Sequence, residues 1–221
     1  MREAADILFG GGEEMRFDEL ILARRSVRKY QAKAVEAEKL QALIEAVRMA
    51  PSASNAQPWK LIVVDDPAIK EKVARATFSG AVPFNKFVLE APVIAVLAVE
   101  KHSALTQVVG WLKGRPFYLM DIGIAAAHFC LQATELGLGT CMLGWFDEAE
   151  VKKILHVPRA IRVGLLITLG YEAENLPVHA KVRKAAEVMS SRNSYEPPRA
   201  VAHLDLPPMR VGGFKVQVQQ E

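Results

Sequence analysis

Helical segments alternating with three or four short β-prone runs predict a fold that mixes helices and strands, α+β or α/β. Three observations carry the prediction. Leu40, Leu43, Ile44 and Val47 recur at i, i+3, i+4 and i+7 among charged residues, the stripe of an amphipathic helix. The runs 59–64, 93–99 and 163–169 are short, apolar and rich in β-branched residues, as buried strands are. Residues 117–136 are apolar nearly all round, which predicts a helix lying in the core or in a subunit interface.

The elements follow in order. Residues 1–20 read as an N-terminal tail, with Gly10, Gly11 and Gly12 before two glutamates. The first helix starts near Glu36 and closes at Pro51, because the residue before a proline is pushed out of the α region. A polar loop from Ser52 leads to the strand at Trp59–Val64. Asp66 then Pro67 is an N-cap followed by N1, opening a helix through 69–77. Strand 93–99 and the apolar helix 117–136 come next, with Gly137 as its stop. Residues 141–144 read as a short strand or turn, Asp147 caps a small helix to Leu155, and 163–169 is the last strand. One domain spans 21–195. Residues 196–221 carry Pro197, Pro198, Pro207 and Pro208 with little helical period and read as an extended arm packed on a partner subunit, hence a homodimer.

The 221 residues carry 28 basic and 25 acidic side chains, a net +3, with 51% hydrophobic and 24% charged residues. That balance excludes a disordered chain and gives no support to nucleic-acid binding, which needs a larger basic excess. No run approaches the roughly 18 apolar residues of a membrane span. Cys130 and Cys141 fit neither a redox pair nor a zinc site and read as buried thiols in a reducing cytoplasm. The five histidines show no metal spacing, and His128 reads as a core residue. No metal is expected.

Two clusters could carry chemistry. Arg24, Arg25, Ser26, Val27, Arg28 and Lys29 place four cations in six residues, and guanidinium groups grip phosphate with paired donors; a solvated basic turn has the same composition. The loop 51–59 offers the Ser52 hydroxyl and the Asn55 and Gln57 amides, and each of those amides presents both donor and acceptor to a heteroaromatic edge; ordinary turn chemistry would use the same residues. Lys181 and Arg183 form a smaller basic pair. There is no Walker loop and no nucleophile elbow.

In sequence order, these pieces resemble the nitroreductase family of FMN-dependent flavoproteins. The match runs from Arg24-Arg25-Ser26-Val27-Arg28 through Ala50-Pro51-Ser52-Ala53-Ser54-Asn55-Ala56-Gln57-Pro58-Trp59 to the Ala-rich helix, the Gly137-Leu138-Gly139 segment, Leu143-Gly144-Trp145, Leu169-Gly170-Tyr171 and a late Lys181-Val182-Arg183. The resemblance implies an α+β fold, a mixed central sheet flanked by helices, and an intertwined homodimer with FMN sites shared between subunits. It implies cofactor contacts from Arg24, Arg25, Ser26, Arg28, Asn85, Leu143, Gly144, Lys181 and Arg183, with Pro51, Ser52 and Asn55 supplied by the other subunit. Arg24, Lys181 and Arg183 would meet the phosphate and Arg28 the pyrimidine side of the ring. The implied activity is ping-pong hydride transfer from NADH or NADPH through FMN to a nitroaromatic, quinone or related acceptor, with no side chain as obligatory acid or base. A flavin-binding storage or sensing module is the alternative from another class. Flavin cleavage and dehalogenation of aromatics are alternatives within the family. Residues 77–86 and 101–116 would shape the substrate opening, with Trp111, Phe117 and Tyr118 as stacking candidates.

Overall fold

The computed structural model describes residues 15–80, 83–100, 116–176, 181–195, 210–211 and 214–215. The chain divides into two units, 1–174 and 175–221.

In the first unit, strands β1 (Trp59–Val64), β2 (Val93–Val99), β3 (Gly139–Leu143) and β4 (Arg162–Gly170) form one sheet in the order β1-β2-β4-β3. Each adjacent pair is antiparallel. A single parallel bridge from Ser26 to Thr140 continues the sheet past β3, and in that one place the sheet is mixed. Helices α1 (Phe17–Ala23), α2 (Ala37–Arg48), α3 (Pro67–Arg75), α4 (Phe117–Glu135) and α5 (Glu148–Ile154) accompany it. The α+β class is therefore the observed one. α1 has no counterpart among the expected elements: seven residues are too short for a helical period to stand out. It overlaps the last residues of the expected tail.

Strand alternation divides the core. Val93, Ala95, Leu97, Ile167 and Leu169 pack on α2 and α4 through Leu43, Val47, Ala125 and Phe129. Ile94, Val96, Cys141, Leu143 and Leu166 face the other way, onto Val73, Val88 and Val151. Period two places successive side chains on opposite faces, and β2 is apolar throughout because both faces are covered. Burying a side chain such as Phe129 contributes roughly 1.5–3 kcal/mol.

The caps are those the sequence specifies. Asp66 Oδ1 accepts from Ile69 N–H at 2.8 Å and Asp147 Oδ1 from Glu150 N–H at 3.0 Å. α4 ends where Gly137 takes φ +73°, with Leu138 N–H donating to Ala133 O at 2.7 Å and Gly137 N–H to Thr134 O at 3.0 Å, the paired bonds of a Schellman stop. α4 is not buried all round: Asp121, Ile122, Ala125, Ala126, Phe129, Cys130 and Ala133 are buried, while Leu119, Met120 and Ile124 are exposed. His128 is half-buried, a correction to its reading as a core residue, since it faces away from the buried stripe. Both cysteines are buried and free.

In the second unit a short helix, α6 (Ala186–Met189), precedes β5 (Arg210–Val211) and β6 (Phe214–Lys215), which pair antiparallel. The rest of the arm expected at 196–221 lies outside the described residues. Among the described residues no helix is long and apolar enough to cross a membrane.

Candidate functional site

Arg24 caps the end of α1 in a non-helical conformation, φ −55° and ψ 122°, and from there the chain runs alongside β3. Val27 N–H donates to Thr140 O at 2.8 Å. The strand-like alternation sorts the basic cluster. Arg25 turns to Glu172, with Nε and Nη2 at 2.9 and 2.5 Å from Oε2, so its charge is committed to an ion pair. Burial raises the pKa of the Cys141 thiol, while the positive charge of Arg28, a hydrogen bond with Ser26 and the charge of Arg24 oppose that. Val27 and Tyr30 are the buried anchors of this segment. Tyr30 donates to Val27 O at 2.8 Å and shares a 2.6 Å hydrogen bond with Thr168 Oγ1. The segment fits closely only because position 139 is glycine; a Cβ there would stand 2.6 Å from Val27 Cγ2.

Arg28 is exposed, lies 5.9 Å from the Phe87 ring centroid, and has a 3.4 Å contact to Ser26 O. Among the described residues no carboxylate pairs with it. Phe87 belongs to a 3-10 turn, Lys86–Glu90, that follows Asn85. Asn85 is buried, and its amide nitrogen donates to Thr77 O at 3.1 Å and Trp145 O at 3.2 Å. Both amide hydrogens are thus used on backbone, leaving Oδ1 as the group it can offer a ligand. Leu143 is buried at the end of β3, and Gly144 beyond it is exposed, with open space where a Cβ would be. Arg24, Ser26, Arg28, Asn85, Leu143 and Gly144 therefore gather around the β3 edge. A groove of about 580 Å³ beside them is lined by Lys72, Thr77, Phe78, Trp145, Phe146 and Ile154, among others. The Phe84 and Trp145 rings, both exposed, stand 6.1 Å apart at 59°.

Pro51, Ser52 and Asn55 are elsewhere. Their loop precedes β1, the opposite edge strand. Ile62, Val96, Leu166 and Leu143 form one cross-strand row, so the two edges are three strand spacings apart, about 14 Å at 4.7–4.9 Å each. Ser54, Asn55 and Gln57 take φ of +53°, +53° and +45°. The loop is pinned by Gln57 N–H to Ser52 Oγ at 2.9 Å and by Ala53 N–H to Asp121 Oδ1 at 3.0 Å. Asp121 is the residue the sequence reading passed over; a buried acid in an otherwise apolar helix is the signal that marks it.

In the second unit, Lys181 is half-buried and Arg183 is exposed, with Nη1 donating to Val182 O at 2.7 Å. Trp111 lies outside the described residues, while Phe117 and Tyr118 at the start of α4 are half-buried.

Arg28 is thus an exposed guanidinium that no carboxylate among the described residues pairs with, on the segment that runs alongside β3. The chain belongs to the nitroreductase family, whose sequence pattern matches residues 21–171. It is 32% identical over 161 residues to a "Putative NADH dehydrogenase/NAD(P)H nitroreductase" of Methanothermobacter thermautotrophicus, covering 71% of this chain and 78% of that one. Among solved structures, an "FMN-dependent Nitroreductase" from Clostridium difficile superposes with TM-score 0.65 at 26% identity, over 80% of this chain and 98% of that one. The "NADPH:FMN oxidoreductase" of Vibrio harveyi, solved with NAD+, superposes with TM-score 0.66 at 26% identity, over 81% and 77% of the two chains.

Proposed function

We propose that this protein is an FMN-dependent NAD(P)H oxidoreductase acting on nitroaromatic, quinone or related acceptors. The observation that carries the reading is the course of the Arg24–Arg28 segment alongside β3, with Ser26 bridged to Thr140 and Arg28 left exposed, on the strand that ends at Leu143 and Gly144. That arrangement fits the cofactor. Arg28 has no acidic partner among the described residues, Gly144 leaves room for a flat ring against the backbone, and Ser26 is exposed between the two arginines. When bound, FMN supplies the two-electron chemistry and the protein supplies orientation and electrostatics.

Arg24 would bind the phosphate and Arg28 would favour negative charge on the pyrimidine side of the ring. Lys181 and Arg183 are proposed as further phosphate contacts on the same argument from charge. Arg25 is assigned to the Glu172 pair and acts by holding the segment. The groove beside Trp145 offers an acceptor an aromatic wall, and its Thr77 and Phe78 belong to the stretch expected to shape the substrate opening.

The proposed unit is a homodimer. Pro51, Ser52 and Asn55 precede β1, the edge strand opposite β3, which supports a site that a second copy completes. The exposed Leu119, Met120 and Ile124 on α4, with Phe17 and Leu22 on α1, supply apolar surface for a second copy. A cytoplasmic setting is proposed from the two buried, unpaired thiols.

Complementation tests the shared site. Arg28→Ala and Asn55→Ala should each bind FMN poorly, and co-expressed together they should recover flavin, because each mixed dimer carries one intact site. A mixture that holds no more flavin than the separate variants would contradict a site built from two chains.

A further inference from the structure

We propose that Asp121 is a positioning residue that holds the Ser52–Gln57 loop in its working shape through the Ala53 N–H. Ser54, Asn55 and Gln57 have φ of +53°, +53° and +45°, a left-handed conformation uncommon for residues other than glycine. Three such residues in four positions do not persist without external contacts that over-determine them. Within the loop, Asn55 N–H donates to Ser52 O at 3.0 Å and Gln57 Nε2 to Asn55 Oδ1 at 3.0 Å. The contact from Asp121 comes from outside it: Oδ1 on α4 accepts from Ala53 N–H at 3.0 Å, at the start of the Ala53–Asn55 turn.

The state of the carboxylate argues that this contact is its purpose. Asp121 is 3% exposed, and Oδ2 is buried with no hydrogen-bond partner among the described residues. A half-satisfied buried acid is costly, and its neighbours on the helix, Ile122, Ala125 and Ala126, are apolar. Packing alone would be served better by an apolar side chain. An acceptor at position 121 ties the loop to the helix on which the exposed Leu119, Met120 and Ile124 also stand. The consequence for FMN rests on the function proposed above; the hold on the loop does not.

Hydrogen exchange on the full-length protein as purified, together with FMN titration, tests this. Asp121→Ala should speed exchange at Ala53, Asn55 and Gln57 at least tenfold, leave β2 and β4 unchanged, and weaken FMN binding at least tenfold. Asp121→Asn keeps an acceptor and should stay within about threefold of wild type in both. Should the alanine variant not fold, Asp121→Val, similar in size and without an acceptor, is read by the same criteria. Wild-type exchange in the loop of the variant lacking an acceptor, equal acceleration throughout β2 and β4, or an asparagine variant as impaired as the alanine one would each overturn the proposal. Selective loosening of the loop in a protein that never binds FMN would uphold it and overturn the flavin reading instead.

Discussion

Asn85 and Trp145 are joined by a 3.2 Å hydrogen bond from the Asn85 amide to the Trp145 carbonyl, and the second amide hydrogen goes to Thr77 O at 3.1 Å. One buried side chain thus ties the turn after β3 to the end of α3, beside Gly144. Replacing it by alanine strands two carbonyls. At about 1 kcal/mol per hydrogen bond, Asn85→Ala should lower unfolding free energy by roughly 2–3 kcal/mol in urea denaturation. A loss below about 0.5 kcal/mol would mean the two bonds are dispensable.

Arg25 and Arg28 are neighbours in sequence with opposite fates in the fold. Arg28→Ala should weaken FMN binding at least tenfold and make the bound flavin harder to reduce, with little change in stability. Arg25→Ala should do the reverse: about 1 kcal/mol of stability lost with the half-exposed Glu172 pair, and flavin potential unchanged. Equilibrium dialysis and potentiometry separate the two. Equal effects of both variants on potential would remove the distinction.

Gly139 sets how closely the Arg24–Arg28 segment lies on β3. A methyl group there meets Val27 Cγ2 at 2.6 Å and Cβ at 2.9 Å, and overpacking of this kind costs typically 1–3 kcal/mol. Gly139→Ala should therefore lower stability and flavin affinity together, and adding Val27→Ala should restore part of both. A double variant no better than the single one would show that the clash is not with Val27.

Three buried groups make the fold sensitive to alkali. Burial pushes the Cys130 thiol from 9.0 up to about 11, opposed by a hydrogen bond with Thr140 and by Arg24, and burial likewise raises Cys141 and Tyr30. Each group keeps its proton in the folded state after the unfolded chain has lost it. Their contribution is thus fully present below about pH 8.5–9 and falls as pH rises toward the folded values. Urea unfolding between pH 8 and pH 10 should show a declining midpoint, with a shallower decline in Cys130→Ala. A flat profile over that range would contradict the burial of these groups.

The apolar face of α4 should govern assembly. Met120→Lys, at a position 54% exposed in the single chain, should shift the protein to monomer in analytical ultracentrifugation and release flavin in the same step. A monomer that retains full flavin would separate the cofactor site from the dimer.

What the sequence made legible was local. β1 and β2 fall on the expected residues, and α2, α3, α4 and α5 begin within a residue or two of expectation, because caps such as Asp66 and Asp147 and the stop at Gly137 are written in neighbouring residues. α1 escaped because seven residues hold too little periodicity. The candidate site divides the same way. The Arg24–Arg28 motif was visible as charge, but its sorting into Arg25 against Glu172 and Arg28 toward open space depends on a partner 147 residues away. One partner of Asn85, Trp145, is likewise distant, 60 residues on, while the other, Thr77, is eight residues back. Asp121 was visible as an acid in an apolar helix, yet only the fold shows that it faces Ala53.

The most direct measurement is an absorbance spectrum of the purified protein followed by anaerobic titration with NADH and NADPH. The account predicts a yellow protein whose flavin band bleaches with one equivalent of donor per bound FMN and returns when a quinone or nitroaromatic is added. A colourless protein that takes up no FMN, or a bound flavin that neither donor reduces, would contradict it.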